Sequence, residues 1–154
     1  MADGLSSRPT ITLRNAIAAD LPAVIALLEK AGLPLEGLED QFERGYVIAI
    51  TGNRIVGAAG IEVHGEHGLL RSAVVDPDMR GRGIGARMTR ERVEWAREKG
   101  LKSIWLLTTT AADFFPRHGF ESARRADAPP EIQASKEFAF ACPASAVCQR
   151  LLLS

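Results

Sequence analysis

The run Arg80-Gly81-Arg82-Gly83-Ile84-Gly85-Ala86 has residue types and spacing suited to chemistry, because it sits between a β-rich run ending at Val74-Val75 and a long helical pattern. The first turn of a helix carries N–H groups that no carbonyl of that helix reaches, and these bear partial positive charge. Glycines let an anion approach such a backbone without Cβ atoms in the way. Arg80 and Arg82 add positive charge beside it. Together these features suit the holding of a pyrophosphate. Glycines alone weigh equally for a turn without a ligand, so the surrounding elements decide.

Other phosphate loops fit less well. A dinucleotide fingerprint needs a third glycine, but the frames from Gly81 and Gly83 end on Ala86 and Met88. No Lys followed by Ser or Thr closes the loop as in a P-loop. His64 and His67 are spaced H-x-x-H in a turn with no further ligands, which gives no metal site. His118, just before Gly119, suits a helix end, where a cation meets the dipole favourably.

The elements that position this loop follow from periodicity. Ile11 to Arg14 alternates as a short strand, and Asp20 stands as N-cap of a helix that carries Pro22 in its first turn and stops at Gly32. Leu21, Val24, Ile25, Leu27 and Leu28 form its apolar face. Leu33 to Phe42 predicts a second short helix, broken by Pro34 and Gly37 and placed to cover a site. Tyr46–Thr51 and Arg54–Val63 are strands joined by the hairpin signal Gly52-Asn53, and a turn at Gly65-Glu66-His67 leads to a third strand, Leu69–Val75. Then come a helix from Gly83 to Lys99, a strand from Ser103 to Thr108 and a short helix from Ala111 to Gly119. Ala126–Pro130 reads as a loop, Glu131–Phe138 as a turn of helix and Ala146–Leu152 as a closing strand. An antiparallel meander thus precedes the glycine loop, whereas a dinucleotide fold opens with its βα unit.

The 154 residues suit one domain, spanning 11–154 after a flexible N-terminal segment at 1–10. Lys plus Arg number 19, as do Asp plus Glu, so no net field draws nucleic acid or an anionic membrane. With no long apolar run and no secretion signal in Met1–Pro9, a cytoplasmic protein is expected. Cys142 and Cys148 read as buried structural thiols, since six residues of strand separate them by about 20 Å.

Arg80-x-x-Gly83-x-Gly85, preceded by Ala73-Val74-Val75 and followed by a helix through Trp95, resembles the acetyl-CoA motif of the GNAT superfamily of N-acetyltransferases. Phe114-Phe115-x-x-x-Gly119-Phe120 resembles that family's second motif. The likeness runs from Ile11 to the last strand. It implies an α+β fold, an α/β/α sandwich on a central mixed, mostly antiparallel sheet of about seven strands with a splay at the fourth and fifth. It implies acetyl-CoA as co-substrate, no metal, and a small-molecule amine as acceptor; a homodimer suits the family. Ala73, Val74 and Val75 would pair with the pantetheine arm as an extra strand does. The amides of Arg80, Gly81, Arg82, Gly83, Ile84, Gly85 and Ala86 would hold the pyrophosphate, with Phe114 and Phe115 alongside.

The resemblance also implies catalytic parts. The family often carries a tyrosine acid where this chain has Phe115, so no general acid is assigned. Glu62, on the strand beside the cofactor strand, matches a carboxylate that deprotonates the amine through water; by itself it equally fits a solvated strand position. Arg71 and Ser72 fall on opposite faces of the cofactor strand by alternation, and either an acceptor's carboxylate or a surface ion pair suits Arg71.

Leu69-Leu70-Arg71-Ser72, the stretch Leu107–Phe115 and Cys142-Pro143-Ala144-Ser145-Ala146-Val147-Cys148 resemble GNAT proteins encoded with arsenic-resistance genes. That likeness implies an amino-acid-like organoarsenical or phosphinic acceptor, detoxified by N-acetylation. Two other classes fit the same sequence: an acetyl-CoA sensor with little catalysis, and a transferase acting on protein N-termini or lysines. Arg71, Arg117 and the covering segment favour the small acceptor.

Overall fold

Residues 10–141 and 143–153 are described by a computed structural model; the segment 1–9, Cys142 and Ser154 lie outside the described residues. Seven strands form one sheet: β1 (Thr12–Asn15), β2 (Tyr46–Thr51), β3 (Arg54–His64), β4 (His67–Val75), β5 (Ser103–Thr108), β6 (Glu121–Ser122) and β7 (Val147–Leu152). Their order is β1-β2-β3-β4-β5-β7-β6. Neighbours are antiparallel except β4 and β5, which run parallel. β6 has two residues, too few for alternation to mark in the sequence.

Helices α1 (Leu21–Ala31), α2 (Phe42–Gly45), α3 (Ile84–Glu98) and α4 (Pro130–Gln133) flank the sheet, and a π-helical turn at Glu137–Ala141 follows α4. Alternation along the strands divides the core into two layers. Ile48 and Ala58 pack with Val24 and Leu28 of α1, whereas Val47, Ala49 and Ala59 pack with Ile84 and Met88 of α3. Farther along, Leu70, Ile104 and Leu106 meet Val93 and Ala96 of α3, while Leu69, Trp105 and Leu107 meet Ile132 of α4. Helices on both faces of the sheet make the three-layer sandwich that the family resemblance implies.

Three details differ from the sequence reading. Asp20 occupies the N-cap position of α1 but makes no cap bond to it; its carboxylate accepts from Ile17 N–H at 2.8 Å and from both terminal nitrogens of Arg14. The segment 33–42 forms a loop to Gly37 followed by a tight turn at Leu38–Gln41, because Pro34 and Gly37 deny it a helical hydrogen-bond ladder. The helix expected from Ala111 shrinks to one turn at Phe115–His118.

The feature that positions the site is the parting of β4 from β5. Their pairing covers His67–Ser103, Gly68–Ile104 and Leu69–Trp105 and goes no further, while β5 continues along β7 to Thr108. From Leu70 onward β4 therefore has a free edge, where expected strands four and five splay. A β-bulge lies on the opposite side of the same stretch: Arg71 pairs with Gly60 and Val74 with Ala58, so Ser72 and Ala73 together face Ala59. Ser72 holds φ 59°, in the left-handed region. The Tyr46 ring lies across Gly60, where an added Cβ would run into the ring carbons.

Candidate active site

Two cavities open beside the free edge of β4. The larger, about 910 Å³, runs along Ala73–Val75, the loop residues Arg80, Gly81 and Gly83, and the start of α3 at Ile84–Ala86, and is closed by Phe114 and Phe115. The first bond of α3 runs from Arg87 N–H to Gly83 O at 3.0 Å, so the preceding amides have no acceptor in the helix. Gly83 enters the helix at φ 77°, and an added Cβ would meet nothing within 4 Å. Its position therefore needs glycine for backbone angle, with open space in front of it. Asp76 fixes the approach to the loop: its carboxylate accepts from Asp78 N–H at 3.0 Å and from Arg54 Nη2 at 2.9 Å. Those donors, the Asp78 amide first and Arg54 second, hold its carboxyl below the usual carboxylate range. Arg80 lines the groove; Arg82 is exposed outside it.

The second cavity, about 780 Å³, lies between the loop 32–37, β4 at Leu70–Ala73, and Leu106–Ala111. Ala73, Ala111 and Phe115 line both cavities, so groove and cleft meet there. Ala73 is exposed at this junction. Phe115 is buried, packing edge-on against Phe114 at 5.0 Å and Phe120 at 5.6 Å. A hydrocarbon ring thus occupies the place where the family often has an acid.

Arg71 is buried in the wall of the cleft and almost fully engaged. Its Nη1 donates to Glu36 O and to Glu62 Oε2 at 3.2 Å, its Nη2 to Pro34 O at 3.2 Å, and its Nε to Ser72 Oγ at 3.2 Å. Of the five N–H donors of a guanidinium, one on Nη2 is left. The bond to Ser72 exists because the bulge undoes strand alternation: the two side chains expected on opposite faces meet on one. Ser72 Oγ also shares a hydrogen bond of 2.9 Å with the Tyr46 hydroxyl, and burial pushes that phenol up, so it stays protonated. Through the carbonyls of Pro34 and Glu36, Arg71 also ties the covering loop to β4.

Two carboxylates flank this guanidinium. Glu62, on β3 as expected, places Oε1 3.0 Å from His64 Nε2 and Oε2 on Arg71, and is not among the residues lining the cleft. Glu137 lines the cleft, is 3% exposed, and has Oε2 3.4 Å from Arg71 Nε. Its Oε1 is buried with no hydrogen-bond partner among the described residues. Burial pushes its carboxyl up to about 7, against the pull of Arg71 and with the help of Glu62 and Glu36. The sequence reading missed Glu137 and Tyr46. Glu137 stood inside a stretch read as a turn of helix, and no local pattern marked either residue.

The remaining candidates fall outside the cleft. His67 Nδ1 is bound to Ser103 Oγ at 2.7 Å. His118 stacks on Phe114 at 4.9 Å, and burial with Arg90 and Arg117 lowers its pKa, which favours the neutral ring over the expected cation. Cys148 is buried and its thiol is pushed up by burial, as a structural cysteine requires. Among the described residues, no three or more His, Cys, Asp or Glu are grouped to hold a metal ion, and no helix is long and apolar enough to cross a membrane.

Residues 14–120 match the Acetyltransferase (GNAT) family. The amino-acid acetyltransferase of Pasteurella multocida is 27% identical over 133 residues, covering 81% of this chain and 30% of that protein. The chain thus spans about a third of the length of the curated relatives it matches. Among solved structures, N-acetylglutamate synthase from Neisseria gonorrhoeae, complexed with coenzyme A and N-acetyl-glutamate, superposes with TM-score 0.80 at 21% identity, over 96% of this chain and 36% of that one. A Mycobacterium tuberculosis protein in complex with CoA superposes with TM-score 0.79 at 23% identity, over 93% of this chain and 99% of that one.

Proposed function

The chain belongs to the acetyltransferase (GNAT) family, and from that premise we propose that it moves the acetyl group of acetyl-CoA onto the primary amine of a small amino acid. The observation that carries this reading is the meeting of the two cavities at Ala73, Ala111 and Phe115, one running along the free edge of β4 and the start of α3 and one walled by buried charged side chains. The free edge of β4 offers unpaired N–H and C=O groups to an amide-bearing arm, and the free amides at the start of α3 suit its pyrophosphate. Acetyl-CoA supplies an activated acyl group. The chain's part is to place an uncharged amine against it, because positioning carries most of the rate in such a transfer.

The curated relatives named as amino-acid acetyltransferases support an amino acid as acceptor. The cleft, roofed by the loop that Arg71 ties down, favours a small molecule over a peptide. The same reading covers amino acids whose side-chain acid is a phosphinic or arsenic oxyacid, the acceptors that the narrower resemblance implies.

The test is release of free thiol from acetyl-CoA over a panel of amino acids, their phosphinic and arsenical analogues, polyamines and peptides. Release with one or more amino acids, lost in Gly83→Glu, is the expected result. Release with peptides alone would move the acceptor to protein. Binding of acetyl-CoA without release by any amine would make the chain a sensor.

A further inference from the structure

We propose that Glu137 is the base that takes the proton from the acceptor's ammonium group, an inference that rests on the transferase reading above. At neutral pH an aliphatic amine arrives as an ammonium and cannot attack until it loses a proton. The base must reach the cleft and keep an oxygen free for that proton. Glu62 fails both conditions, since its oxygens are engaged by His64 and Arg71 and it does not line the cleft. Glu36 and Glu39 line the cleft from the covering loop but are exposed. Glu137 meets both conditions, with Oε2 against Arg71 Nε and Oε1 buried without a partner among the described residues.

The charges around it favour the same role. Arg71 on β4 and Glu62 on β3 face Glu137, with Glu36 on the covering loop and Tyr46 on β2. With Glu62 and Glu137 ionised, one guanidinium stands between two carboxylates, and the excess negative charge suits an incoming ammonium. A carboxyl raised to about 7 changes charge near working pH, where a base is most effective.

The step balances as follows. One N–H bond of the ammonium breaks, the proton passes to the Glu137 carboxylate, and the electron pair stays on nitrogen. That nitrogen then bonds to the acetyl carbon while the carbon–sulfur bond breaks with its pair on sulfur. The second proton of the nitrogen goes to the thiolate through solvent, and Glu137 returns its own to bulk water. One proton is released per acetyl group transferred.

The experiment is the pH dependence of kcat/KM for the acceptor, which reports the free enzyme, for the wild type, Glu137→Gln and Glu137→Gly, with kcat measured alongside. The wild-type kcat/KM should rise through a limb with a midpoint near 7. Glu137→Gln should lower kcat by about 100-fold, erase the limb and leave acetyl-CoA affinity unchanged. Added formate should restore part of the Glu137→Gly rate, which a purely structural role would not permit. Should Glu137→Gln fail to fold, Glu137→Asp keeps the carboxylate, and should keep the limb at a lower rate. A Glu137→Gln enzyme that retains the limb, or stays within about threefold of wild type, overturns the assignment. Wild-type protein that releases thiol with no amine overturns the transferase reading, and this inference with it.

Discussion

The groove along Ala73–Ala86 and the cleft around Arg71 share a wall, yet they are made of different material. In the groove the backbone offers polar groups along the free edge of β4 and at the unpartnered amides opening α3, presented by residues close together in the chain, with Arg80 beside them. At the cleft they are side chains brought from four places: Arg71 and Ser72 on β4 and Glu137 beyond α4 line it, and Tyr46 on β2 and Glu62 on β3 hold them from behind. A backbone site tolerates side-chain change wherever dihedral angles survive. A buried ionic site does not, because each charge is stable only while its partners remain. The groove suits a co-substrate of fixed structure, and the cleft is where substrate preference can be altered one side chain at a time.

The sharpest way to break that contrast is at the cleft's cation. Arg71→Met removes the guanidinium between Glu62 and Glu137 and frees the loop carbonyls of Pro34 and Glu36. It should cost about 3–5 kcal/mol, read from urea midpoints at neutral pH. Adding Glu62→Gln should recover part of the loss, since one stranded charge disappears. The groove should be indifferent, with acetyl-CoA affinity of the folded protein within about twofold of wild type. A cost below about 1 kcal/mol would mean that the ionic cluster is not what holds the cleft together.

The matching change in the groove is Gly83→Glu. It forces a side chain onto φ 77° and sets a carboxylate where a pyrophosphate would lie. Left-handed strain costs about 1–3 kcal/mol, and like-charge repulsion adds to it. Acetyl-CoA affinity should fall by about 100-fold in a calorimetric titration, with the fold intact because open space surrounds the position. Affinity within about threefold of wild type would remove the loop from the binding site.

The two regions were also unequally legible in the sequence. The groove was readable because its parts are local: an apolar run, a turn and glycines opening a helix lie within Val74–Ala86. The splay that exposes β4 came only with the family resemblance, since no pattern in Leu70–Val75 says where pairing with a distant strand stops. In the cleft, alternation failed at Ser72 because the extra residue of a bulge resets the faces, and Glu137 was invisible because the arginine that gives it meaning lies 66 positions earlier. Arg71 was found by residue type, but its partners were not. Side chains assembled from separated segments carry no spacing to read.

A smaller effect is expected at the hydroxyl that stiffens the bulge. Tyr46→Phe keeps the ring across Gly60 and removes one hydrogen bond to Ser72, which still accepts from Arg71 Nε. The loss should be about 1 kcal/mol in urea unfolding. A loss above about 3 kcal/mol would show that the bulge depends on this hydroxyl and that the cleft is a single cooperative network.

The smallest effect should come at the junction itself. Phe115→Tyr restores the hydroxyl that the family often carries where groove and cleft meet. If thiolate departure needs a proton donor and this chain lacks one, the substitution should raise kcat by about 100-fold, the scale of a positioned general acid. We expect a change within about threefold in steady-state thiol release, for two reasons. Phe115 is fixed in a stack with Phe114 and Phe120, which leaves a new hydroxyl to follow the packing rather than the sulfur. A thiolate is also a tolerable leaving group near neutral pH, so the slow requirement is an uncharged amine, and that requirement belongs to the cleft. A large gain in Phe115→Tyr would shift the limiting chemistry to the groove side of the wall and reverse the division of labour between the two regions.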